Sequence, residues 1–408
     1  MAREAAHLRA RCPRRARGEQ MTRSIPALAL FLWVEACSPT GVDSYFPPPG
    51  DAWEHRSPAE VGMDSVVLAE AVAYAVANEP DSPRDLETWM RSRSGDDPYG
   101  ALIGPLKPRG GPNGLIVRHG YIVAEWGDTK RVDVTYSVTK SFLSTTTGLA
   151  WGDGRIRDVH DPVADYVHDG GFDSPHNSQI TWHHLLQQTS EWEGELFGKP
   201  DIADRRRGRD RELNTPGTFW EYNDVRVNRL ALATLRVWRR ALPEVLKELV
   251  MDPIGASDTW EWHGYTTSDV EVDGKTVKSV SGGGHWGGGL WISSRDQARF
   301  GYLFLRRGEW RGEQVVLEEW VDMLTTPTDI EPTYGYMWWL NTDHGLWDAA
   351  PVESYAARGG GSNVIWIDPT NDLVAVVRWI NGNAVNGFLE RIIAAVHATE
   401  SDSPNPDS

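Results

Sequence analysis

The residues best suited to covalent chemistry in this 408-residue chain are Ser137 and Lys140, in the stretch Tyr136-Ser137-Val138-Thr139-Lys140. The segment is predicted to begin a helix, and a spacing of three residues then places the two side chains on one helical face. A serine hydroxyl becomes a useful nucleophile when a neighbour takes its proton, and a lysine in a suitable environment can do so. Free N–H groups in a first helical turn also favour a developing negative charge. The alternative is a capping serine beside a solvated lysine.

A second candidate is Tyr222, in the segment Pro216-Gly217-Thr218-Phe219-Trp220-Glu221-Tyr222-Asn223-Asp224. A Pro-Gly turn and aromatic residues lead to this tyrosine, and a helix is predicted to follow over 225–239. A phenol at such a loop-to-helix junction is well placed to face a cleft. Packing inside a helical lobe is the alternative for this residue.

A third candidate is the run Arg358-Gly359-Gly360-Gly361, directly before a strand predicted over 363–367. Glycines at the start of a strand let the backbone approach a ligand closely, and a free N–H there could stabilise an oxyanion. Arg358 could attract a carboxylate or a carbonyl oxygen. A turn carrying a surface arginine is the alternative.

Two lobes are predicted to position these three elements. An α/β lobe formed by 58–150 plus 286–400 is expected, and a helical lobe is expected over 151–285. Period-2 runs predict strands over 115–117, 122–124, 290–292, 336–340, 363–367 and 373–380. Helical periodicity and capping residues predict helices over 66–78, 182–188, 225–239, 243–251 and 388–396.

Other chemistry-bearing patterns are weaker. The glycine-rich run over 282–289 lacks the lysine of a phosphate-binding loop, so we predict a flexible segment at the edge of the cleft. His183 and His184 lack the spacing of a helical metal pair, and we predict no metal site. There is no Gly-x-Ser-x-Gly elbow, which argues against an α/β-hydrolase.

The first 37 residues are predicted to be a signal segment. Arginines precede a short apolar run over 25–34, which is too short to cross a membrane. Val34-Glu35-Ala36-Cys37 resembles a lipoprotein processing site and predicts lipid attachment at Cys37, although Glu35 fits such a site poorly. The alternative is a plain secretory signal, and Met21 offers a second start. We expect an exported protein, either periplasmic or anchored to the membrane as a lipoprotein.

Composition excludes several kinds of site and partner and characterises the two terminal segments. The two cysteines are Cys12 and Cys37, so a mature chain would have no thiol for catalysis or for a cysteine-based metal site. A net charge of −17 argues against nucleic acid or an anionic membrane face as a partner. The Pro-rich stretch within 38–57 predicts a stiff tether, and the polar tail over 401–408 is predicted to be disordered.

In order and context these motifs resemble the serine β-lactamase and penicillin-binding-protein superfamily. By pattern the resemblance is closest to class C β-lactamases, family VIII carboxylesterases and 6-aminohexanoate-dimer hydrolases. It runs from about Pro58 to Val396 and includes an "IT-x-x-x-LL-x-x-TS"-like stretch over 180–190 and a "GGL…D-x-ARF"-like stretch over 288–300. The resemblance implies a β-lactamase/transpeptidase-like fold, an α/β (α+β) lobe whose antiparallel sheet is flanked by helices, with an inserted all-helical lobe.

The same resemblance implies the roles of the candidate residues. Ser137 would be the acylated nucleophile, Lys140 its proton partner, and Tyr222 the general base that later passes a proton to the leaving group. The N–H groups of Ser137 and of Gly360 or Gly361 would form the oxyanion hole. Members of this family form an acyl-enzyme without metal or cofactor.

Two departures from the family pattern bear on the substrate. The Tyr-x-Asn motif ends here in Asp224, which cannot donate to a substrate carbonyl when ionised and would repel a substrate carboxylate. The Lys-Thr-Gly motif is replaced by Arg358-Gly359-Gly360. We therefore expect a serine hydrolase acting on small-molecule esters or amides. The alternatives are a β-lactamase or D-alanyl-D-alanine carboxypeptidase acting on β-lactams or peptides, and an envelope-binding lipoprotein with impaired catalysis.

Overall fold

A computed structural model describes residues 44–401, with side chains through residue 396. The predicted signal segment over 1–37, its lipidation site Cys37 and almost all of the predicted tail over 401–408 lie outside the described residues. No helix within residues 44–401 is both long enough and apolar enough to cross a membrane.

The secondary structure of the described residues begins with a helix and alternates between helices and short strands. The helices are α1 (Ser65–Ala77), α2 (Leu86–Ser94), α3 (Thr139–Gly152), α4 (Trp182–Leu186), α5 (Asp224–Trp238), α6 (Leu242–Leu246), α7 (Ser294–Leu305), α8 (Glu318–Leu324) and α9 (Val385–Ser401). The strands are β1 (Asn113–Arg118), β2 (Tyr121–Trp126), β3 (Asp133–Val134), β4 (Glu195–Leu196), β5 (Lys199–Pro200), β6 (Glu261–Val272), β7 (Lys275–Val280), β8 (Gly289–Ile292), β9 (Glu309–Trp310), β10 (Glu313–Gln314), β11 (Trp339–Leu340), β12 (Tyr355–Gly359), β13 (Asn363–Asp368) and β14 (Leu373–Arg378).

A six-stranded antiparallel sheet joins the two ends of the described chain, in the order β11-β12-β13-β14-β1-β2. Strand β1 lies beside β14, with Leu115 opposite Val376. Because side chains alternate along a strand, Leu115 and Ile116 face opposite sides of the sheet. Leu115 belongs to the core that includes Phe142 of α3, and Ile116 to the core that includes Phe388 of α9. The predicted antiparallel sheet flanked by helices is confirmed.

Helix α3 is buried along nearly its whole length, in the larger of these two cores. Phe142 stacks on Phe300 of α7 with ring centroids 3.7 Å apart. Gly148 lies so close to Trp320 that a Cβ at this position would be 2.3 Å from the indole ring. The helix that follows the Ser137 motif is therefore held by tight packing on several sides.

The segment over 151–285 contains the expected helices and also a long hairpin. Helices α4, α5 and α6 lie in it, and β6 and β7 form a hairpin whose turn is Asp273-Gly274, both with positive φ (52° and 74°). An Asp-Gly pair suits the mirror-image turn that tight hairpins prefer, so the sequence itself signals this hairpin. Strand β6 pairs with β8, which places the hairpin in a second sheet of order β3-β8-β6-β7.

Residues 44–57, expected as part of a tether, lie against helix α7 and strand β9. Phe46 packs on Tyr302 and Trp310, with ring centroids 5.6 and 5.2 Å away. The Arg299 guanidinium donates to the carbonyl oxygens of Pro48 and Gly50, both at 2.6 Å. Proline carbonyls remain good acceptors, so a Pro-rich segment can dock wherever donors and an apolar surface meet it.

The Gly148–Trp320 contact makes a testable prediction about the helix that carries the candidate site. We expect Gly148→Ala to lower the free energy of unfolding by about 1–3 kcal/mol, since overpacking outweighs the better helix propensity of alanine. Gly152→Ala in the same helix is the matched control. A Cβ there meets only the end of the flexible Leu317 side chain, at 3.0 Å, so we expect little change or a gain of up to about 1 kcal/mol. Urea unfolding measures both, and equal effects would contradict the prediction.

Candidate active site

A cleft of about 440 Å³ brings the predicted site residues together. Ser137, Tyr222, Asp224, Arg358 and Gly359–Gly361 all line it, although they come from segments more than 200 residues apart in the chain. Lys140 lies immediately behind the cleft surface and is 1% exposed. All the predicted site residues that the structure describes therefore meet in one place.

Ser137 lies in a 3-10 turn, Tyr136–Val138, directly before α3 and not within it. Tyr136 adopts φ 50°, a left-handed conformation that costs a non-glycine residue of the order of 1–3 kcal/mol. The Thr139 hydroxyl donates to the Tyr136 carbonyl at 2.6 Å, and the Tyr136 ring meets Trp379 edge-on at 6.5 Å. The strained turn is thus held in place, and it presents Ser137 to the cleft.

The Lys140 side chain donates two hydrogen bonds and forms one ion pair. Nζ donates to Ser137 Oγ at 2.8 Å and to the Gly282 carbonyl at 3.2 Å, and it lies 2.7 Å from Asp224 Oδ1. A solvated lysine, the alternative drawn from the sequence, does not describe this group.

Asp224 is the central anion of the site. Its Oδ2 lies 3.3 Å from His285 Nδ1 and 3.8 Å from the Arg206 guanidinium. Burial alone would raise the pKa of the Asp224 carboxyl, but Lys140, His285 and Arg206 together hold that pKa well below its usual range. Asp224 is therefore ionised, and its charge is met by protein cations and does not face the substrate alone.

Asp204 completes a compact acidic group. Its carboxylate accepts the Asp224 backbone N–H at 2.6 Å, and burial together with the Asp224 charge raises the pKa of Asp204. Asp204, Asp224 and His285 each offer a ligand atom within 4.8 Å of the others, an arrangement that could hold a metal ion. Lys140 and Arg206 already pair with these carboxylates, so the negative charge is balanced by the chain itself.

Tyr222 lies just before α5, beside this group, with the Arg206 guanidinium 4.8 Å from its ring centroid. The Asn223 side chain caps α5 by accepting the N–H groups of Val225 and Arg226 at 3.0 and 3.2 Å, which fixes the chain where Tyr222 enters. The Tyr222 ring stacks on the Trp339 ring, with centroids 5.8 Å apart, and the Lys140 ammonium lies 5.0 Å from the Tyr222 ring centroid. Burial, reinforced by Asp224, raises the pKa of Tyr222, while a hydrogen bond with Ser137 opposes the shift. The phenol is neutral at physiological pH.

The third predicted element, Arg358 with Gly359–Gly361, lines the cleft next to the Ser137 turn. Arg358 and Gly359 end strand β12, and Gly360–Ser362 form the turn into β13. A Cβ at Gly359 would lie 2.0 Å from the Thr135 carbonyl oxygen and 3.1 Å from the Ser137 nitrogen, so only glycine lets this strand approach the Ser137 turn. The half-buried Arg358 guanidinium lies between the Trp339 and Trp347 rings, 5.1 Å from each centroid.

Sequence reasoning missed the loop that supports Lys140. The run Gly282-Gly283-Gly284-His285, predicted as a flexible edge, is packed into the site. Gly283 has φ 78°, and a Cβ at Gly284 would lie 2.2 Å from Asp224 Oδ2. Helix α2 was also missed, although its Trp89 and Met90 line the cleft. For the 282–285 loop, the available signal was the glycine run followed by a histidine, since close backbone approach is one reason for consecutive glycines.

A buried carboxylate holds the loop that carries Arg206. Glu191 accepts from Arg211 at 2.5 and 2.7 Å and from Arg226 at 2.5 Å. The Arg207 N–H donates to Glu221 at 3.0 Å, within the same network. Burial would raise the pKa of Glu191, but these arginines lower it to about 2.

Comparison with known proteins adds three findings. A family model described as Beta-lactamase matches residues 132–399. The 6-aminohexanoate-dimer hydrolase of Paenarthrobacter ureafaciens is 27% identical over 271 residues, which cover 59% of this chain and 64% of that protein, less than two thirds of its length. An uncharacterized protein of Alkalihalophilus pseudofirmus is 24% identical over 270 residues, covering 62% of this chain and 74% of that protein.

The fold is also similar to that of solved structures. A penicillin-binding protein homolog from Caulobacter crescentus superimposes with a TM-score of 0.52 and 15% identity, covering 78% of this chain and 98% of that chain. At this level of identity the likeness concerns the fold alone.

The Glu191 network predicts a specific pH dependence of stability. An unfolded glutamate titrates near 4.3, so a folded pKa of about 2 stabilises the protein above that range and the stabilisation is lost as pH falls toward 2. Between about pH 6 and pH 3 this group should account for about 1.5–2 kcal/mol of the loss in stability. Glu191→Gln should remove that part of the slope, whereas the exposed Glu195→Gln should not. Urea unfolding across pH tests this, and parallel curves for wild type and Glu191→Gln would refute it.

Proposed function

The chain belongs to the beta-lactamase family, and we propose that it is a serine hydrolase that cleaves carboxylic esters or amides through an acyl-enzyme on Ser137. The observation that carries the proposal is the 2.8 Å hydrogen bond between Lys140 Nζ and Ser137 Oγ at the wall of a cleft large enough for a small organic substrate. Nucleophile and proton partner within hydrogen-bond reach are what acyl transfer to a serine requires.

In the proposed acylation, Ser137 Oγ attacks the substrate carbonyl carbon as its proton passes to Lys140 in the amine form. We assign this step to Lys140, because burial and the Asp224 charge disfavour the Tyr222 phenolate that a general base at that position would need. The neutral Tyr222 phenol, hydrogen-bonded with Ser137, is suited to hand a proton to the leaving group while the Lys140 ammonium returns the serine proton to Tyr222, so that both groups end as they began. Water then attacks the acyl-enzyme as the Lys140 amine takes one of its protons, that proton passes to the departing Ser137 Oγ, and the acid product leaves.

The oxyanion formed in each step needs donors near Ser137. We propose that the Ser137 N–H and an N–H of the Gly359–Gly361 segment supply them. The close approach of Gly359 to the Ser137 nitrogen supports this pairing. Arg358, aligned between two tryptophan rings, is suited to attract a carbonyl or carboxylate at the same end of the cleft.

The environment of Asp224 favours esters or amides over β-lactams. An asparagine at this position could donate to a substrate amide, but Asp224 is engaged by Lys140 and His285 and offers no donor. A β-lactamase or a D-alanyl-D-alanine carboxypeptidase is the rival activity. The intact Ser137–Lys140 hydrogen bond argues against the other alternative, an envelope-binding protein with impaired catalysis.

Export and lipid attachment remain part of the proposal. They rest on the arginine-rich segment, the apolar run and the stretch ending in Cys37, and they confine membrane contact to a lipid anchor. A globomycin-sensitive change in precursor size would support acylation at Cys37, and an unmodified soluble mature form would refute it.

Covalent labelling tests the nucleophile. We expect intact-mass spectrometry to show one fluorophosphonate adduct on the wild type and on Ser141→Ala, and none on Ser137→Ala. Ser141 lies one turn further along, where its hydroxyl donates to the Met337 carbonyl at 2.8 Å, so it is a matched control. We also expect fast cleavage of a short-chain p-nitrophenyl ester and slow turnover of a chromogenic cephalosporin. Faster turnover of the cephalosporin would favour the β-lactamase alternative.

The proton-transfer roles predict large losses of rate without loss of fold. Lys140→Ala and Tyr222→Phe should each lower kcat for the ester by about 10²-fold or more, the usual scale for a proton-transfer group. Tyr334→Phe is the matched control for Tyr222→Phe, because Tyr334 is a buried neighbour, 6.2 Å from Tyr222 between ring centroids, that does not line the cleft. Near-normal kcat in Lys140→Ala or Tyr222→Phe would remove that residue from the mechanism.

A further inference from the structure

Helix α2 gives the cleft a wall that the proposed acyl transfer does not use. Its Trp89 and Met90 line the same cleft as Ser137. The match to the family model begins at residue 132, so α2 lies outside the matched part of the chain. An apolar cleft wall binds apolar groups of a ligand, because contact removes the apolar surface of both partners from water. The α2 wall is therefore a candidate for recognising one part of the substrate.

Trp89 is the accessible member of an aromatic cluster beside the nucleophile, here called the Trp89 cluster. Its other members include Leu86, Tyr136 and Trp379. These three are 1%, 7% and 0% exposed, whereas Trp89 is half-buried. Tyr136 belongs to the turn that presents the nucleophile to the cleft. A Cβ at Gly361 would lie 2.2 Å from the Trp379 ring, so the cluster also borders the glycine segment proposed to supply an oxyanion donor.

A separate aromatic cluster surrounds the proposed proton donor. Trp220, Tyr222 and Tyr334 form it, with Trp339 packed against it, and it shares no residue with the Trp89 cluster. In the proposed mechanism Tyr222 passes a proton to the leaving group, so the leaving group must lie at this second cluster. The acyl group and the leaving group point in different directions from the carbonyl carbon. The Trp89 cluster is then the apolar wall open to the acyl group.

Contacts within α2 support the Trp89 ring. The Asp85 carboxylate caps the helix by accepting the Thr88 N–H at 3.0 Å. One turn before Trp89, the buried Leu86 fixes the helix to the Trp89 cluster. One turn after it, Arg93 places its guanidinium 5.2 Å from the indole centroid. The helix therefore holds the indole where it lines the cleft.

Both ends of the segment that carries α2 are pinned to the rest of the protein. Before the helix, the carbonyl oxygens of Pro80 and Ser82 accept from the buried Arg109 guanidinium at 3.2 and 3.1 Å. After the helix, the Ala101 carbonyl oxygen accepts from Lys199 Nζ at 2.8 Å. The wall is thus formed before a substrate arrives, which lowers the entropic cost of binding.

We propose that Trp89 is a specificity-determining residue that binds an aromatic ring in the acyl group of the substrate. The inference rests on the proposed acyl-enzyme function and names its substrate class, esters or amides of arylalkanoic acids such as phenylacetic acid. An aromatic ring suits this wall better than a flexible chain, because it can pack edge-on or offset-stacked against the indole and loses little conformational freedom.

The test measures kcat/KM for two pairs of esters in wild type, Trp89→Ala and Trp89→Leu. The p-nitrophenyl esters of phenylacetic and acetic acid differ in the acyl group alone, whereas 2-naphthyl acetate and phenyl acetate differ in the leaving group alone. We expect wild type to favour the phenylacetate over the acetate by about tenfold or more. Trp89→Ala should abolish most of that preference, and Trp89→Leu, which keeps bulk without an aromatic face, should reduce it less. The naphthyl-to-phenyl ratio should change by less than about twofold in either variant.

Trp291→Ala is the matched control. Trp291 packs against the same cluster as Trp89 but does not line the cleft. This variant should keep the wild-type ratios for both pairs, and an equal loss of the phenylacetate preference would overturn the proposal by indicating packing alone. Thermal melts followed by circular dichroism establish that each variant is folded, and the two substitutions at 89 give two independent chances of a folded protein.

Three further outcomes would overturn the role of Trp89. One is a wild type that cleaves the phenylacetate no better than the acetate. Another is a phenylacetate-to-acetate ratio that Trp89→Ala leaves unchanged. The third is a fall in the naphthyl-to-phenyl ratio of Trp89→Ala in place of the acyl ratio, which would assign the wall to the leaving group. In each case wild type would still be labelled on Ser137. If wild type forms no Ser137 adduct and cleaves none of the esters, the proposed function itself fails, so the two failures are distinguishable.

Discussion

The ion pair between Lys140 and Asp224 is the interaction around which the rest of the site is arranged. Transferring a buried ammonium and a buried carboxylate from water costs several kcal/mol each, and the cost is met only where geometry and additional partners are favourable. Here the partners are the Gly282 carbonyl, the Ser137 hydroxyl and His285. The pair joins the start of α3 to the start of α5.

Close approaches between backbone segments and their neighbours make this arrangement possible. Gly284 lets its loop reach the Asp224 carboxylate, and Gly359 lets the end of β12 reach the Ser137 turn. Tyr136 takes a left-handed conformation within that turn. A strained backbone conformation of this kind is retained only where the surrounding structure holds it firmly. Here the packed helix α3 and the six-stranded sheet do so. Rigid neighbours thus hold a serine, a lysine and a tyrosine within contact range.

Elements with strong local signals were predictable. The β1–β2 hairpin and the strands β13 and β14 follow from apolar runs bounded by turns, and Asp64, Asn223 and Ser293 cap helices as such residues do. The predicted strand over 336–340 is only Trp339–Leu340, because Met337 takes a positive φ of 62°. Residues 44–57 dock on helix α7 because Arg299, far along the chain, supplies the donors, which no local pattern reveals.

The residue types and spacing were enough to single out Ser137, Lys140, Tyr222 and the Arg358 segment, because a short helical spacing and a glycine run have local physical meaning. The charge state and partners of these groups were decided only by folding. Asp224 lines the cleft and is also paired with Lys140, Arg206 and His285, which come from three separate parts of the chain. Electrostatic interactions depend on distance and burial in three dimensions, and neither is encoded in the order of nearby residues.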